Sequence, residues 1–450
     1  MVARANHVEL VDCEFDSYTG KVRLRFRIDD SSHTVSAIFH EAPKLSSETW
    51  LACLQDLGLA CLVDLAAASL ARHVAAAGSL RTGASLSWFL PAARALRAEY
   101  IADLGLPIRH LPFTTKLRGA GVDIRVTKPP NEERVMLLMG GGKDSLYSYQ
   151  LLRAAGFDVE CFYMTEASRT WQQLRKTHCA LGKEVVQHRA FLNANQMGAV
   201  ECRYQRDYTT QFQVGQALFL SIPYALGRNC KYIAIGAERS ANGATGNYCG
   251  VRINHQFEKS APFLGILNRH FDARFGNGLR VFSPLHGLFD LGIYARFLRS
   301  KKLLDLQSSC GGSNSRQRHC GRCEKCAFVA ALLAGLSPDV GAHGKLFPTN
   351  PLEDTALFDE WYQGRFERPL ACVGSLRELR TALRLGRARG WDSAIHRNDR
   401  GRGHPPGVKA LYHFLAVHPS LGIPLAVRKR IEPLLEFDPA PLAELIGSHL

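Results

Sequence analysis

One segment of this chain predicts a strand, a tight glycine turn and a helix in direct succession. Five apolar residues (135–139) lead into Gly140, Gly141 and Gly142, and a helical pattern starts at Leu146. The apolar run is typical of a buried parallel strand, and three glycines let the backbone turn tightly with its N–H groups exposed. Because the N-terminus of a helix favours negative charge, this junction predicts a phosphate site.

The polar residues after the glycines indicate which phosphate ligand to expect. Lys143 supplies positive charge and Ser145 supplies a hydroxyl group. A carboxylate beside phosphate requires a cation between them, so we expect Asp144 to hold Mg²⁺ that bridges phosphate oxygens. The spacing matches neither a Walker A loop nor the G-x-G-x-x-G motif. The segment thus predicts bound Mg-ATP, and the simpler alternative is a glycine-rich turn that binds nothing.

The order of strand, G-G-x-D-S and helix resembles the PP-loop family, the N-type ATP pyrophosphatases. This resemblance implies cleavage of ATP to AMP and pyrophosphate. Gly140 stands where the usual family pattern has serine, which removes one hydroxyl contact to the phosphates, and the glycine amide could compensate.

The composition is that of a globular enzyme. The 450 residues are 46% hydrophobic and 22% charged, and a chain of this length forms about two or three domains. The N-terminus lacks an apolar signal core, and the Ala/Leu-rich stretch 57–80 is interrupted by Asp64, Arg72 and His73. We therefore expect a cytoplasmic protein with no membrane partner. Thirteen cysteines without a signal peptide favour reduced thiols and a metal site over disulfides.

The net charge of +15 has more than one explanation. It fits nucleic-acid binding, and it fits equally well polyanionic small substrates such as ATP and a UDP-sugar. Much of the excess lies in the last hundred residues, where a solvated helix face explains it as well. These arginines are Arg377, Arg380, Arg384, Arg387, Arg389, Arg397, Arg400 and Arg402.

The hydrophobic pattern predicts three regions. Residues 1–130 show period-two alternation over 7–40 and helical periodicity over 46–80 and 91–104, which indicates an α+β domain that ends near Pro129. Residues 131–345 alternate short apolar strands with helical segments, which predicts an α/β fold with a doubly wound parallel sheet. The resemblance of the glycine loop implies that this sheet is of the PP-loop type. Residues 346–450 are mostly helical and rich in arginine, with a glycine- and proline-containing loop near 399–407, and could form a lid.

Three loops of the second region are expected to meet in one crevice. Sites in doubly wound sheets lie beyond the carboxyl ends of the strands. The glycine loop, the pair Thr165 and Glu166, and the segment Gly236–Glu238 all follow predicted strands. Glu238 is therefore a candidate to assist Mg²⁺.

Four cysteines are spaced as metal ligands. Cys310, Cys320, Cys323 and Cys326 follow the pattern C-x9-C-x2-C-x2-C. Four thiolates suffice for one tetrahedral Zn²⁺, and the closed shell leaves no position for a substrate, so the zinc should be structural. Free cysteines, an Fe–S cluster and a persulfide carrier remain as alternatives. A PP-loop domain followed by such a cluster resembles the 7-cyano-7-deazaguanine synthases, which bind zinc in this way.

A polar segment after the predicted strand 232–236 is a candidate ligand loop. It has neither helical nor strand periodicity over 236–242 and 251–260. Its side chains could bind phosphate, a carboxylate or a sugar, or they could be ordinary surface residues. The candidates are Asn242, Asn254, His255, Gln256, Lys259 and Ser260.

Several segments across nearly the whole chain resemble one particular family. They are VDCEFD (11–16), GGGKDS (140–145), ERSAN (238–242), NHQFEKS (254–260), the cysteine cluster and ACVG (371–374). The resemblance is to the UDP-N-acetylmuramoyl-L-alanyl-L-glutamate epimerases of peptidoglycan precursor synthesis. It implies that ATP adenylates the α-carboxylate of the terminal L-Glu, that the stereocentre is inverted to D-Glu, and that AMP and pyrophosphate are released.

This chemistry requires two groups that exchange the α-proton on opposite faces of the substrate. His255 is the first candidate, because an unperturbed imidazole titrates closest to working pH. Cys249 and Cys372 are further candidates if their thiols are suitably tuned, although a buried cysteine is more often inert. Lys259 and Lys143 would stabilise phosphate or a developing oxyanion.

Two other functions fit parts of the sequence. A PP-loop enzyme that modifies a nucleobase or tRNA, by thiolation or nitrile formation, would explain the basic charge and the cysteines. A zinc-dependent nucleic-acid binding protein would leave the magnesium-phosphate loop unexplained. We do not expect a nucleic-acid partner, because the chain lacks an aromatic and basic stacking module. The oligomeric state is not predicted.

Overall fold

The computed structural model describes most of the chain. It covers residues 4–80, 85–117, 124, 130–166, 168–193, 195–198, 212–276, 278–308, 310, 318–337, 342–400, 406–419 and 421–447. Pro129, Arg402 and most of the predicted loop near 399–407 lie outside these residues.

The described residues contain a ten-stranded sheet in the order β12-β9-β6-β7-β8-β3-β2-β1-β4-β5, and a two-stranded sheet of β10 and β11. The strands are β1 (His7–Asp16), β2 (Lys21–Ile28), β3 (Ser31–Phe39), β4 (His73–Ala76), β5 (Thr114–Lys116), β6 (Asn131–Leu138), β7 (Asp158–Thr165), β8 (Gln187–Leu192), β9 (Cys230–Ala234), β10 (Gly246–Tyr248), β11 (Val251–Ile253) and β12 (Arg280–Phe282).

Strands β12, β9, β6, β7 and β8 are all parallel. The chain runs from β6 to β7 and β8 on one side and then returns to add β9 and β12 on the other side. The strand order therefore reverses between β6 and β9, which is where an α/β sheet opens a crevice at its carboxyl edge. The predicted α/β fold with a largely parallel sheet is confirmed.

Helices cover both faces of this parallel half. Met136 and Leu138 of β6 pack into one hydrophobic core, whereas Val135 and Leu137 pack into a second core on the opposite face. A strand that is buried on both faces explains the unbroken apolar run in the sequence. The helices of this half include α3 (Lys143–Ala154), α4 (Ser168–Leu181), α5 (Gln213–Gly227), α6 (Ala261–Phe275), α7 (Asp290–Phe297) and α8 (Lys301–Leu304).

The N-terminal meander continues the same sheet. Strand β2 alternates buried and exposed residues along its whole length, as the period-two pattern predicts. Strand β3 then pairs antiparallel with β8, with Ala37 opposite Leu192. The N-terminal strands and the glycine-loop strands thus share one sheet, and the domain boundary near residue 130 stays a prediction.

The predicted helix over 46–80 is too long. Helix α1 (Ser47–Ala68) ends at Ala68, and β4 follows, parallel to β1 and β5. The alanines of β4 favour a helix locally, but pairing with two neighbouring strands overrides that preference.

Helix α1 is also more apolar than the sequence analysis inferred. Its length and hydropathy would allow it to cross a membrane, but 94% of its most apolar window is buried inside the protein. It packs against α2 (Leu86–Asp103), α5 and β1, so its apolar character serves the protein core.

The last region is mostly helical, as predicted. Helix α9 (Glu324–Leu336) crosses α12 (Leu376–Ala388) so closely that a Cβ at Gly335 would lie 2.6 Å from the Ala382 carbonyl oxygen. Some of its arginines are structural, since Arg380 and Arg387 bind the buried Asp399 at 2.7 and 3.0 Å. The other helices are α10 (Ala342–Leu346), α11 (Asp359–Tyr362), α13 (Ala394–Arg400), α14 (Val408–Leu415), α15 (Leu425–Ile431) and α16 (Ala440–Gly447).

A buried polar cluster ties α1 to α6. His270 Nε2 lies 2.9 Å from Asp56 Oδ2, and the Ser85 hydroxyl donates to Asp56 Oδ1 at 2.6 Å. Arg274 Nε lies 3.6 Å from the same carboxylate. Burial alone would raise the pKa of Asp56, but His270, Arg274 and these hydrogen bonds lower it to about 2.

We predict that Asp56→Ala destabilises the fold by about 3–5 kcal/mol, because it leaves buried partners uncompensated. Urea unfolding at pH 7 measures this, with the exposed Asp30→Ala as control, for which we expect a change below about 0.5 kcal/mol. Because the folded-state pKa of Asp56 is lowered, its contribution is present above its unfolded pKa of about 3.9 and is lost as the pH falls through about 2. Equal effects of the two substitutions would contradict the prediction.

Candidate active site

The glycine loop joins the carboxyl end of β6 to the first turn of α3. Gly141 adopts a positive φ of 73°, and Gly142 is the N-cap of α3, so no side chain caps the first-turn N–H groups. A Cβ at Gly140 would meet nothing within 4 Å, so the space for the serine of the PP-loop pattern is open. Backbone N–H groups, a helix N-terminus and open space together suit an anion.

The loop after β9 packs directly on this first turn. A Cβ at Gly236 would lie 2.7 Å from the Asp144 carbonyl carbon and 2.8 Å from the Ser145 nitrogen. Only glycine allows this approach. The ends of β6 and β9 therefore meet, as expected from the strand order.

Lys143 is buried among carboxylates. Its Nζ lies 2.7 Å from Asp144 Oδ1 and 2.5 Å from Asp290 Oδ1. Burial alone would lower the pKa of Lys143, but Asp144, Asp290 and Glu238 raise it well above its ordinary value. Lys143 is thus a permanent cation beside the glycine loop.

The pKa values of three carboxylates at this site shift in different directions, although burial acts on each in the same way. Burial raises the pKa of Asp144, and it raises that of Asp290 to about 7 against the opposing effect of Lys143. Burial alone would also raise the pKa of Glu238, but Lys143 and Lys259 lower it to about 2. Asp144 lines the cavity and offers a hard oxygen ligand for the predicted magnesium ion. Glu238, the predicted assisting residue, is buried beside the cavity without being part of its lining, and its Oε1 accepts a hydrogen bond from the Ser240 hydroxyl at 3.0 Å.

A cavity of about 570 Å³ connects the glycine loop to a second group of polar residues. Its lining includes Gly140, Gly142, Lys143, Asp144, Ser145, Glu166, Gly236, His255, Glu258, Lys259, Ser308, Cys310, Lys325 and Cys372. The predicted phosphate loop and three of the four predicted catalytic residues thus share one cavity.

His255, Lys259 and Cys372 line one part of the cavity wall. Lys259 Nζ lies 2.9 Å from Cys372 Sγ. His255 Nδ1 lies 2.6 Å from Glu99 Oε1 on helix α2. Although burial opposes it, Lys259 together with Lys325 and His255 lowers the pKa of Cys372 well below its usual value.

The environment of His255 differs from the unperturbed imidazole assumed in the sequence analysis. Burial alone would lower its pKa, but Glu99 and Cys372 raise it to about 10. The ring is therefore protonated at neutral pH and suits an acid rather than a base.

Glu258 is a cavity residue that the sequence did not single out. Its carboxylate accepts hydrogen bonds from the backbone N–H groups of Val214 and Gly215 at 3.2 and 2.8 Å. Burial raises its pKa to about 7. Asp290 and Glu378 were also missed, because an acidic residue in the first turn of a helix is typical of ordinary N-terminal capping.

Cys249 and Asn242 do not line the cavity. Cys249 is exposed at the turn between β10 and β11, and the structure does not bring it to the other predicted catalytic residues. The Asn242 side chain accepts from the Ala261 N–H at 2.7 Å and donates to the Arg239 carbonyl at 3.2 Å. Asn242 therefore holds the segment 239–242 to the start of α6.

The four predicted metal ligands lie together. The sulfurs of Cys310, Cys320, Cys323 and Cys326 all lie within 4.8 Å of one another, and those of Cys320 and Cys326 are 3.8 Å apart. A tetrahedral zinc with Zn–S bonds of about 2.3 Å separates its sulfurs by about 3.8 Å, so the four thiols fit this ion. Backbone N–H groups of Cys320, Gly321 and Arg322 point to the sulfurs at 3.1–3.4 Å.

The cysteine cluster also supports the glycine loop. Ser308 donates its backbone N–H to the Gly141 carbonyl at 2.8 Å, and Cys310 lines the cavity two residues later. An ordered cysteine cluster would therefore help to fix the conformation of the loop.

The fold and the site define an α/β protein whose cavity is lined both by a glycine loop at a helix N-terminus and by the Cys372 thiol. Residues 2–199 match the family model of the MurL N-terminal domain, and residues 308–397 match that of the MurL C-terminal domain. The two matches cover well over half of the chain, so this chain belongs to the MurL family.

Three curated relatives are each named UDP-N-acetyl-alpha-D-muramoyl-L-alanyl-L-glutamate epimerase. The relative from Xanthomonas oryzae pv. oryzae is 26% identical over 55% of this chain and 55% of its own length. The relative from Salinispora tropica is 27% identical over 63% of each chain, and that from Micromonospora sp. is 26% identical over 64% of each. The matched region thus spans less than two thirds of each relative.

We predict that the purified protein contains about one Zn²⁺ per chain, because four clustered thiols form a closed structural site. Metal analysis should show that Cys326→Ser lowers this content at least about tenfold. Substitution of the exposed Cys179, Cys179→Ser, should leave it unchanged. A metal-free wild-type protein that keeps its fold would contradict the prediction.

Proposed function

We propose that this chain is an ATP-dependent epimerase that converts the terminal L-Glu of UDP-MurNAc-L-Ala-L-Glu into D-Glu in peptidoglycan precursor synthesis. The reaction proceeds through an acyl-adenylate and releases AMP and pyrophosphate. The observation that carries the proposal is a single cavity lined both by the glycine loop at the start of α3 and by a thiol, an imidazole and an amine. The names of the three relatives support the choice of substrate.

In this proposal the glycine-loop end of the cavity binds the triphosphate of ATP. The N–H groups at the start of α3 and the ammonium of Lys143 bind phosphate oxygens. Asp144, assisted by Glu238, would hold Mg²⁺, which supplies positive charge that neutralises the phosphates. Asp290 Oδ1 lies 2.5 Å from Lys143 Nζ and helps to hold this ammonium group in place.

The other end of the cavity acts on the glutamate. The α-proton beside a carboxylate is too weakly acidic for an ordinary base. Conversion of the carboxylate to a mixed anhydride withdraws electrons and makes this proton more acidic. His255 is protonated and can donate a proton, while Lys259 stabilises negative charge on the activated carbonyl oxygen. Glu258, with a pKa raised to about 7 by burial, is a carboxylate that can exchange a proton near neutral pH.

The cysteine cluster would hold a structural Zn²⁺ that orders the segment beside Gly141. A cytoplasmic location fits an enzyme that consumes ATP and a UDP-sugar peptide.

We predict that the enzyme, with Mg-ATP and UDP-MurNAc-L-Ala-L-Glu in D₂O, forms AMP, pyrophosphate and product that carries deuterium at the glutamate α-carbon. Inversion exchanges this proton with solvent, so label and D-Glu should appear together. Nucleotide analysis and mass spectrometry measure the products. Formation of ADP, absence of label, or activity only with RNA and a sulfur donor would contradict the proposal, and the last result would favour a PP-loop RNA-modifying enzyme.

We predict that Asp144→Asn abolishes AMP release, because the cavity loses its expected magnesium ligand. His255→Ala should reduce deuterium incorporation at least about tenfold more than ATP–pyrophosphate exchange, because it acts at the glutamate end. Asp272→Asn removes an exposed carboxylate on α6 and serves as a control that keeps both activities. Equal losses of exchange and labelling in His255→Ala would contradict its assignment.

A further inference from the structure

Four side chains from separate parts of the chain meet at one end of the cavity. Glu99 lies on α2, His255 and Lys259 lie on the loop before α6, and Cys372 lies on the loop before α12. We call this group the thiol cluster. His255 Nδ1 lies 2.6 Å from Glu99 Oε1, and Lys259 Nζ lies 2.9 Å from the Cys372 sulfur. His255, Lys259 and Cys372 line the same cavity.

The thiol cluster contains the kinds of group that activate a nucleophilic cysteine. Covalent catalysis by cysteine uses a thiol, a histidine within hydrogen-bond reach and a third group that orients the histidine. In the thiol cluster Cys372 is the thiol, His255 is the histidine and Glu99 is the orienting carboxylate.

Other cysteines of the protein have a different environment. Cys53, Cys61 and Cys161 are buried, and burial raises the pKa of each thiol. Cys372 instead lines the cavity and is partly exposed. It lies beside two positively charged side chains, so it is placed and charged to react with a bound substrate.

We propose that Cys372 captures the activated glutamyl group as a covalent thioester, and this inference rests on the proposed function. The Cys372 thiolate donates its electron pair to the carboxyl carbon of the glutamyl adenylate. The bond from that carbon to the AMP oxygen breaks, and its electron pair leaves with AMP. Water later adds to the thioester carbon, and the C–S bond breaks with its electron pair returning to sulfur as the thiolate. Both protons of the water are released as the product carboxylate forms.

A thioester would assist the inversion. Sulfur donates electrons to a carbonyl less effectively than oxygen does, so the α-proton of a thioester is more acidic than that of a carboxylate or an ester. The covalent bond also keeps the glutamate in the cavity after AMP has left. Lys259 and His255 lie beside the sulfur, where they can stabilise the oxyanion formed when Cys372 attacks and when water attacks.

The experiment combines acid-quenched mass spectrometry with assays of ATP–pyrophosphate exchange and of AMP release. Wild-type enzyme is mixed with Mg-ATP and UDP-MurNAc-L-Ala-L-Glu, and we expect an adduct of substrate mass less one water on the peptide that contains Cys372. Hydroxylamine should remove it. Cys372→Ala should keep ATP–pyrophosphate exchange within about tenfold of wild type and lose AMP release at least about a hundredfold. Cys179→Ala, at an exposed cysteine outside the cavity lining, should behave as wild type.

Other results with the Cys372 variants would contradict the thioester proposal or the proposed function. If Cys372→Ala releases AMP within about tenfold of the wild-type rate and loses only deuterium incorporation, Cys372 is an acid or base and the thioester proposal is wrong. If Cys372→Ala loses both ATP–pyrophosphate exchange and AMP release, Cys372→Ser is tested next. A base-labile ester on the new serine supports the proposal, whereas AMP release without an adduct overturns it. If the wild-type enzyme shows no ATP–pyrophosphate exchange with this substrate, the proposed function itself fails.

Discussion

The close approach of two backbone segments is the constraint on which the site depends. Gly236 packs on Asp144 and Ser145 so tightly that any side chain at this position would collide with backbone atoms. This contact joins the ends of β6 and β9 where the strand order reverses. It brings carboxylates from several loops together, and the buried Lys143 offsets the repulsion that would otherwise separate them.

The parts of the site that the sequence predicted are those with local signals. The glycine loop follows its strand directly, and the four cysteines lie within 17 residues of one another. The alternation of β2 is likewise a property of eight consecutive residues. In each case the residues that determine the structure are neighbours in sequence, so their spacing is informative.

The parts that the sequence missed depend on distant pairs. Glu99 is 156 positions from His255, and Glu378 accepts a hydrogen bond from a backbone N–H 87 positions away. Strand β4 has a helix-favouring sequence and forms only because β1 and β5 flank it. Fold topology decides such contacts, and single-sequence patterns do not record it. The raised pKa of His255 also depends on a distant residue, because Glu99 lies on a helix that the sequence analysis assigned to another domain.

In the proposed function the glycine loop binds phosphate and the thiol cluster carries out the chemistry at the glutamate carbon. The central claim is that ATP binds with its triphosphate against the start of α3. A crystal structure with Mg²⁺ and a non-hydrolysable ATP analogue tests this most directly. We predict triphosphate density on the N–H groups of 140–145, with the metal ion bound to Asp144. An analogue bound elsewhere, or a glycine loop that remains closed to phosphate at saturating ligand, would contradict the claim.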